Sequence, residues 1–226
     1  RPGFRTIQRQ KGFSIINIAG LTLGLTACLL IGLFVRDEQQ YDKFIPGSEN
    51  IYRVYQKTHG DVNNIIATSP PAFAVALKQN FAEVEESVRV IAFKSKQLIE
   101  ANDKKLYEEN GFLVDSNFFE MFPLHFRYGS AAKVFSDPKS IVISAAMAEK
   151  YFGKEDSVGK EKTLSKDVMR VQGVLENTEK FHLPLNFLIS LNAAGFPANM
   201  MQSWQWYPVI TYVKLKNGTS ADPLQA

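Results

Sequence analysis

Residues 12–35 run for 24 positions without one charged side chain: GFSIINIAGLTLGLTACLLIGLFV. As a helix rising about 1.5 Å per residue, this stretch is roughly 36 Å long, enough to cross a hydrocarbon layer of about 30 Å with some tilt. The chain is therefore expected to be anchored by a membrane helix over 12–35, with everything after it on one side of the bilayer. Arg1, Arg5, Arg9 and Lys11 precede the run and no acid stands among them. Arg36 follows it, with Asp37, Glu38 and Asp42 close behind. Lysine and arginine collect on the cytoplasmic side, so the basic segment 1–11 is expected inside and the bulk of the chain outside. All 23 acids lie beyond residue 35, and the outer segment is close to neutral. The net charge of +3 is thus a topology signal. No basic stripe with interleaved aromatics is visible, and no nucleic acid partner is expected.

Two other readings of the run are weaker. A cleaved signal peptide has an apolar core of about 7–15 residues and a small-residue cleavage site, and neither is present. Leu25-Thr26-Ala27-Cys28 matches a lipobox, but Leu29 to Val35 continue apolar where a lipidated chain turns polar. Cys28 is the single cysteine. No disulfide can form within the chain, so the outer part must stand on its hydrophobic core.

The membrane helix carries Gly20 and Gly24 as a GxxxG pair, with Ala19, Thr22 and Ala27 nearby. Small residues let another helix approach, and Asn17 needs a polar partner in lipid, so Asn17, Gly20 and Gly24 are the candidate helix-packing positions. No proline interrupts residues 3–45, so the helix is expected to pass through Asp37, Glu38 and Tyr41 as a stiff juxtamembrane rod, reaching about residue 45. Pro46-Gly47 should stop it.

Residues 47–226 read as a mixed α/β segment of α+β class. Ile51 to Tyr55, Val88 to Phe93, Gln97 to Glu100, Gly111 to Val114, Ser140 to Ile143, Val168 to Leu175, Asn186 to Leu191 and Val209 to Lys216 have strand composition. Ser69 and the following prolines introduce a helix from Ala72 to Phe81. Asp115-Ser116-Asn117 cap a short helix, Phe118 to Phe122. Ser144 caps another, Ala145 to Phe152, closed by Gly153. Few, short helices interrupting strands irregularly suit α+β better than a doubly wound sheet. One domain and two subdomains are both compatible with the length.

Chemistry is sparse. His59, His125 and His182 are far apart and lack cysteines or carboxylates at metal-ligand spacing. Ser144 lacks the glycine-flanked elbow of a hydrolase nucleophile. Gly153 to Glu161 resembles a phosphate-binding loop but has five residues between its glycines, and Glu161 replaces the magnesium-binding hydroxyl, so it reads as a surface loop with two turn glycines. Trp204 and Trp206 flank Gln205; in a strand both indoles share one face, either packed in the core or offered to a partner. No catalytic residue, cofactor or metal is expected.

The residues also carry a resemblance. Lys11-Gly12-Phe13-Ser14, Ile16-Asn17, Gly20-Leu21 and Gly24 are similar to the first membrane helix of MacB-like ABC transporter permeases, the MacB/FtsX/LolC-type group. Asp37-Glu38, Tyr41-Asp42, Phe44 and Ile51-Tyr52-Arg53-Val54 continue the likeness. Val114 to Phe119 with Phe122, Val142-Ile143-Ser144, Lys150 to Gly153 and Val158-Gly159-Lys160 resemble the extracytoplasmic core. The resemblance implies a porter-like region with a small inserted, Sabre-like subdomain. It implies a cytoplasmic ABC ATPase partner, a second permease unit or half, and location in the bacterial inner membrane. It implies mechanotransmission: ATP-driven motion passed along helices to act on substrates, or on a partner protein, outside the membrane. The protein itself would not be the ATPase, and no Walker motif is present. No second apolar run precedes Ala226, so against the family pattern the chain reads as the first part of a longer permease. The rival reading is a single-pass sensor with an extracytoplasmic ligand-binding domain; a membrane-tethered enzyme ranks below both, for want of a catalytic constellation.

The charge asymmetry makes a direct prediction. In a Cys28→Ser background, a cysteine at Gly60 should react with a membrane-impermeant maleimide in intact spheroplasts, and one at Thr6 should not. The opposite pattern would invert the topology.

Overall fold

Phe112, Leu113 and Val114 are buried in succession, as are Ile141 to Ile143 and Phe187 to Ile189. Strands written as unbroken apolar runs must be covered on both faces. In the computed structural model of the chain they lie side by side in the middle of one sheet. The structure describes residues 11–57, 65–164, 167–176 and 178–224. Arg1, Arg5, Thr6, Arg9, His59 and Gly60, on which parts of the topology and histidine readings fall, lie outside the described residues. The chain divides into two units between Lys43 and Phe44.

The first unit contains α1 (Lys11–Glu38), 28 residues long with no buried side chain and long and apolar enough to cross a membrane. It ends earlier than the absence of proline suggested. Gln39 N still donates to Val35 O at 3.0 Å, but Gln40 and Tyr41 donate to Asp37 and Glu38, three residues back. Asp42 then adopts φ 58°. Asp37 and Glu38 stand at the negative end of the helix dipole, which disfavours them there, and aspartate tolerates the left-handed region better than most residues. These, and not Pro46-Gly47, end the rod.

The second unit contains β1 (Ile51–Arg53), β2 (Gln56–Lys57), β3 (Ile65–Ile66), α2 (Pro71–Asn80), β4 (Val84–Ala92), β5 (Gln97–Ala101), β6 (Lys104–Glu108), β7 (Gly111–Val114), α3 (Phe118–Met121), β8 (Phe126–Gly129), β9 (Ser140–Ser144), α4 (Ala145–Phe152), β10 (Glu161–Leu164), β11 (Asp167–Leu175), β12 (Phe187–Ser190), α5 (Ala198–Met201) and β13 (Val209–Leu215). The main sheet runs β1-β13-β4-β7-β12-β9-β11-β10-β5-β6, with β8 also on β11; β2 and β3 form a separate hairpin. Among the described residues, only β7–β12 and β9–β11 pair in parallel. This mixed sheet meets the α+β expectation. Strand pairing runs unbroken from β1 to β6.

The two-residue period of a strand sorts side chains between two cores. Val88, Val90, Phe112, Val114, Val142 and Leu188 face one, roofed by α3 and the rings of Phe118, Phe119, Phe122 and Phe181. Ile91, Leu113, Ile141, Ile143, Phe187 and Ile189 face the other, roofed by α4 through Met147, Ala148, Tyr151 and Phe152. β11 obeys the alternation only because it is interrupted. Val171 and Val174, three positions apart, both face the α4 core, and the register against β9 breaks between Val171 and Gly173. One extra residue, a bulge, reverses the phase of the strand. A smaller cluster sets Leu77 of α2 against Val84, Val213 and Leu215.

Several local expectations change. Ser69 does not cap α2; Pro70 occupies the N-cap position, and the buried Ser69 Oγ shares a 2.7 Å hydrogen bond with Thr211 Oγ1. Asn117 gives α3 no side-chain cap, because its amide donates to Ser87 O at 3.1 Å. Ser144 caps α4 as expected, accepting from Met147 N at 3.2 Å, and Gly153 follows at φ 75°. Strands β2, β3, β6, β8 and β10 are absent from the sequence reading. β6 is exposed at four of five positions, and it exists because Asn102, at φ 51°, turns it back onto β5.

The joint between β7 and β12 is the most sensitive to volume. Phe187 pairs with Gly111, and a Cβ on Gly111 would stand 2.0 Å from the Phe187 ring. Gly111→Ala should therefore cost about 1–3 kcal/mol of unfolding free energy in urea titration. Phe187→Leu should recover part of the loss in the double variant; a neutral Gly111→Ala would show that the ring is free to move aside.

Candidate functional site

Asn17, Gly20 and Gly24 are spaced by three and four residues on α1 and so share a face. All three are exposed, and a Cβ built on either glycine meets nothing within 4 Å. The Asn17 amide has no hydrogen bond among the described residues, whereas Thr22 Oγ1 donates to Ile18 O at 2.7 Å. Cys28 is exposed on the same helix. The face is sterically open for a second helix. Asp37 and Glu38 form the last turn of α1, and Tyr41 lies beyond it.

In the second unit, α2 and β4 border an open groove of about 680 Å³. Its floor is a bidentate pair: Arg89 Nε and Nη2 donate to Asp115 Oδ2 and Oδ1 at 2.9 and 2.8 Å, and Arg89 N donates to Oδ2 at 2.8 Å. At the rim, Lys78 Nζ meets Glu86 Oε1 at 2.5 Å. Asp115 was read as part of a helix cap; it instead locks β4 to the segment leaving β7. The charged groups lining this groove satisfy one another, which leaves no activated nucleophile or base there.

Trp204 and Trp206 do not lie on one strand face, because residues 203–208 are not a strand. Trp204 is 54% exposed and sits edge-on to Phe73 of α2 at 6.1 Å. Trp206 is half-buried against the α4 core, edge-on to Phe196 at 5.3 Å. The proline of Tyr207-Pro208 and the short α5 before it replace extended pairing with a turn. Of the two, only Trp204 keeps a solvent-facing indole.

The site that sequence reading missed is internal. Lys162 of β10 is 2% exposed. Its Nζ lies 4.9 Å from the centre of the Tyr151 ring and 5.2 Å from that of Phe152, and it has no hydrogen bond among the described residues. Glu108 at the end of β6 accepts from the Tyr151 hydroxyl at 2.8 Å and from Lys150 Nζ at 2.6 Å. Burial pulls the Lys162 amine down to about 7, with the Glu108 charge opposing. Burial, then the Glu108 hydrogen bond and charge, pushes the Tyr151 hydroxyl up. A lysine in a short polar stretch reads as surface, and no pattern in Glu161-Lys162-Thr163-Leu164 marks it otherwise.

His125 is exposed, and His182 Nε2 shares a 2.7 Å hydrogen bond with Tyr212 inside the aromatic core. Among the described residues no group of three or more His, Cys, Asp or Glu could hold a metal. The loop from Gly153 to Glu161 is a pair of turns, with Gly153 and Gly159 at positive φ, but Ser157 within it is buried.

A helix long and apolar enough to cross a membrane, followed by a two-faced mixed sheet, matches a known group. The profile of the MacB-like periplasmic core domain matches residues 14–226. The chain belongs to this family. Among solved structures, a domain of a putative permease protein from Porphyromonas gingivalis superposes with a TM-score of 0.66 at 22% identity, covering 80% of this chain and 81% of that one. The periplasmic region of MacB from Actinobacillus actinomycetemcomitans gives 0.56 at 13% identity, covering 83% and 84%. The extracellular domain of the noncanonic ABC-type transporter YknZ from Gram-positive bacteria gives 0.56 at 19%, covering 77% and 88%. At these identities the superpositions establish the shared fold. A search of curated proteins found no match. The chain thus carries a MacB-like periplasmic core domain, with an N-terminal helix long and apolar enough to cross a membrane.

Its half-buried ion pair is the polar joint most exposed to test. Asp115→Ala would strand the Arg89 guanidinium in a site where side-chain exposure is only 18%. A loss of about 2 kcal/mol in denaturant titration is expected, since an unpaired, partly buried charge keeps its desolvation cost. A loss below about 0.5 kcal/mol would place the pair among ordinary surface bridges.

Proposed function

We propose that this chain couples a cytoplasmic ABC ATPase, carried on another polypeptide or region, to a MacB-like domain outside the membrane. The N-terminus lies in the cytoplasm, residues 12–35 cross the inner membrane, and residues 47–226 act at its outer face. Asn17, Gly20 and Gly24 pack against another membrane helix of the same assembly, from a second permease unit or half. Motion originating at the ATPase travels along α1 and through Asp37, Glu38 and Tyr41 to the outer domain. There it drives export or release of a substrate, directly or through a partner protein that meets the Trp204 surface.

The observation that carries this reading is the extent of the family match. It begins at residue 14, inside α1, and continues to 226, so helix and domain occur together as one inherited unit. The path from helix to domain is short: α1 ends at Glu38, hydrogen-bonded turns continue through Tyr41, and Ile45 is already buried in the core.

Replacing Asp37-Glu38-Gln39 by three glycines tests the coupling. Each glycine costs about 1 kcal/mol of helix stability relative to alanine and loosens the turn that follows. In the complete transporter, ATP hydrolysis should persist while the export-dependent phenotype is lost. Normal export with the glycine variant would make the segment a passive tether and favour the sensor reading.

A further inference from the structure

We propose that Lys162, Glu108 and Tyr151 form a proton-operated clasp between α4 and the β10-β5-β6 wing, closed while the Lys162 amine is uncharged and loosened when it takes up a proton.

The geometry is that of a joint. The wing reaches the rest of the sheet through a single strand pairing, β10 on β11, and its free edge is β6. The period-two alternation puts Lys162, Leu164, Ile99, Ala101 and Glu108 on the face that α4 covers. Tyr151 closes that contact, its hydroxyl on Glu108 and its ring beneath Lys162. Asn102 Nδ2 donates to Tyr151 O at 3.0 Å, and Lys104 Nζ donates to Lys150 O, so the hairpin of β5 and β6 is stitched to the end of α4.

The clasp accommodates an amine better than an ammonium. Three N–H donors of a charged lysine would need acceptors, and Nζ has none among the described residues. Ring faces attract a cation, but they do not replace its hydration in a site this enclosed. The nearby carboxylate of Glu108 is already shared between Tyr151 and Lys150. The other charged groups on these elements are engaged elsewhere. On α4, Glu149 pairs with Arg127. On β5 and β6, Glu100 pairs with Lys105. Beside β10, Lys160 pairs with Glu155, and between β10 and β11, Glu161 pairs with Arg170. Asp167 at the start of β11 is exposed. Protonation therefore introduces a buried charge whose relief is for Glu108 to leave its partners or for the wing to lift from α4.

The sign follows from linkage. The folded amine titrates near 7 and the free side chain near 10.5. Between those values the opened wing binds more protons than the closed one, so closure strengthens as pH rises through that window and is weakest, and level, below it. Facing outward from the membrane, such a clasp would report external acidity to the domain; the clasp itself stands whether or not the transport reading holds.

Hydrogen exchange on the full chain in detergent tests it, with protection factors corrected for the intrinsic pH dependence of exchange. Between pH 6 and 8.5, protection of residues 97–108 and 161–164 should rise by about tenfold or more, since each pH unit inside the window changes the opening constant up to about tenfold. Strands β7 and β12 should change little, and the wing's profile should bend near pH 7. In Lys162→Met, which keeps the volume without the charge, the wing should be protected equally at both pH values. A flat wild-type profile would overturn the clasp whatever the variant does. So would a change shared equally by β7 and β12, or a pH dependence surviving in Lys162→Met.

Discussion

Burial of the central strands on both faces is the constraint from which the rest of the domain follows. β7, β9 and β12 have no polar interior position, so each must be roofed twice. α3 and the phenylalanine cluster supply one roof, and α4 supplies the other. The close approach of Phe187 to Gly111 lets parallel β7 and β12 pack a full ring where a side chain would otherwise stand. A single buried phenylalanine is worth about 1.5–3 kcal/mol, so the three that are fully enclosed, Phe118, Phe122 and Phe187, rival the net stability of a domain.

Polar groups enter these cores on unequal terms. Ser69 and Thr211 satisfy one another, and Arg89 and Asp115 form a fork-on-fork pair, so each offsets its loss of water. Lys162 does not. Its desolvation is opposed only by ring faces and a carboxylate already shared, which is why its amine moves so far from the ordinary lysine range. The difference separates polar contacts that hold the fold from one poised to respond to protons.

α1 and the MacB-like domain are built for different surroundings. In lipid, α1 satisfies its backbone internally and exposes apolar side chains at no penalty, whereas the domain must hide them.

Most element positions were legible in the sequence because the central strands and α4 are locally consistent: apolar runs, a serine cap at Ser144, a glycine stop at Gly153. The family was legible too, from the order of weak motifs along the chain. Harder to read were segments whose structure is imposed by neighbours. β6 and β10 are polar stretches that become strands because β5 pairs with both. Trp204 and Trp206 alternate in sequence, yet turns send one indole to solvent and the other to the core. The candidate sites divide in the same way. The Asn17, Gly20 and Gly24 face follows from helical spacing alone, whereas the Lys162, Glu108 and Tyr151 cluster joins three elements distant in sequence. By itself the sequence determined a helix long and apolar enough to span a membrane, the charge asymmetry around it and which strands must be buried, because these depend on local composition and periodicity. Only the tertiary structure decided where the rod ends, that Ser69 bonds Thr211 instead of capping a helix, and which lysine loses its water, because burial and hydrogen-bond partners are properties of assembled neighbours.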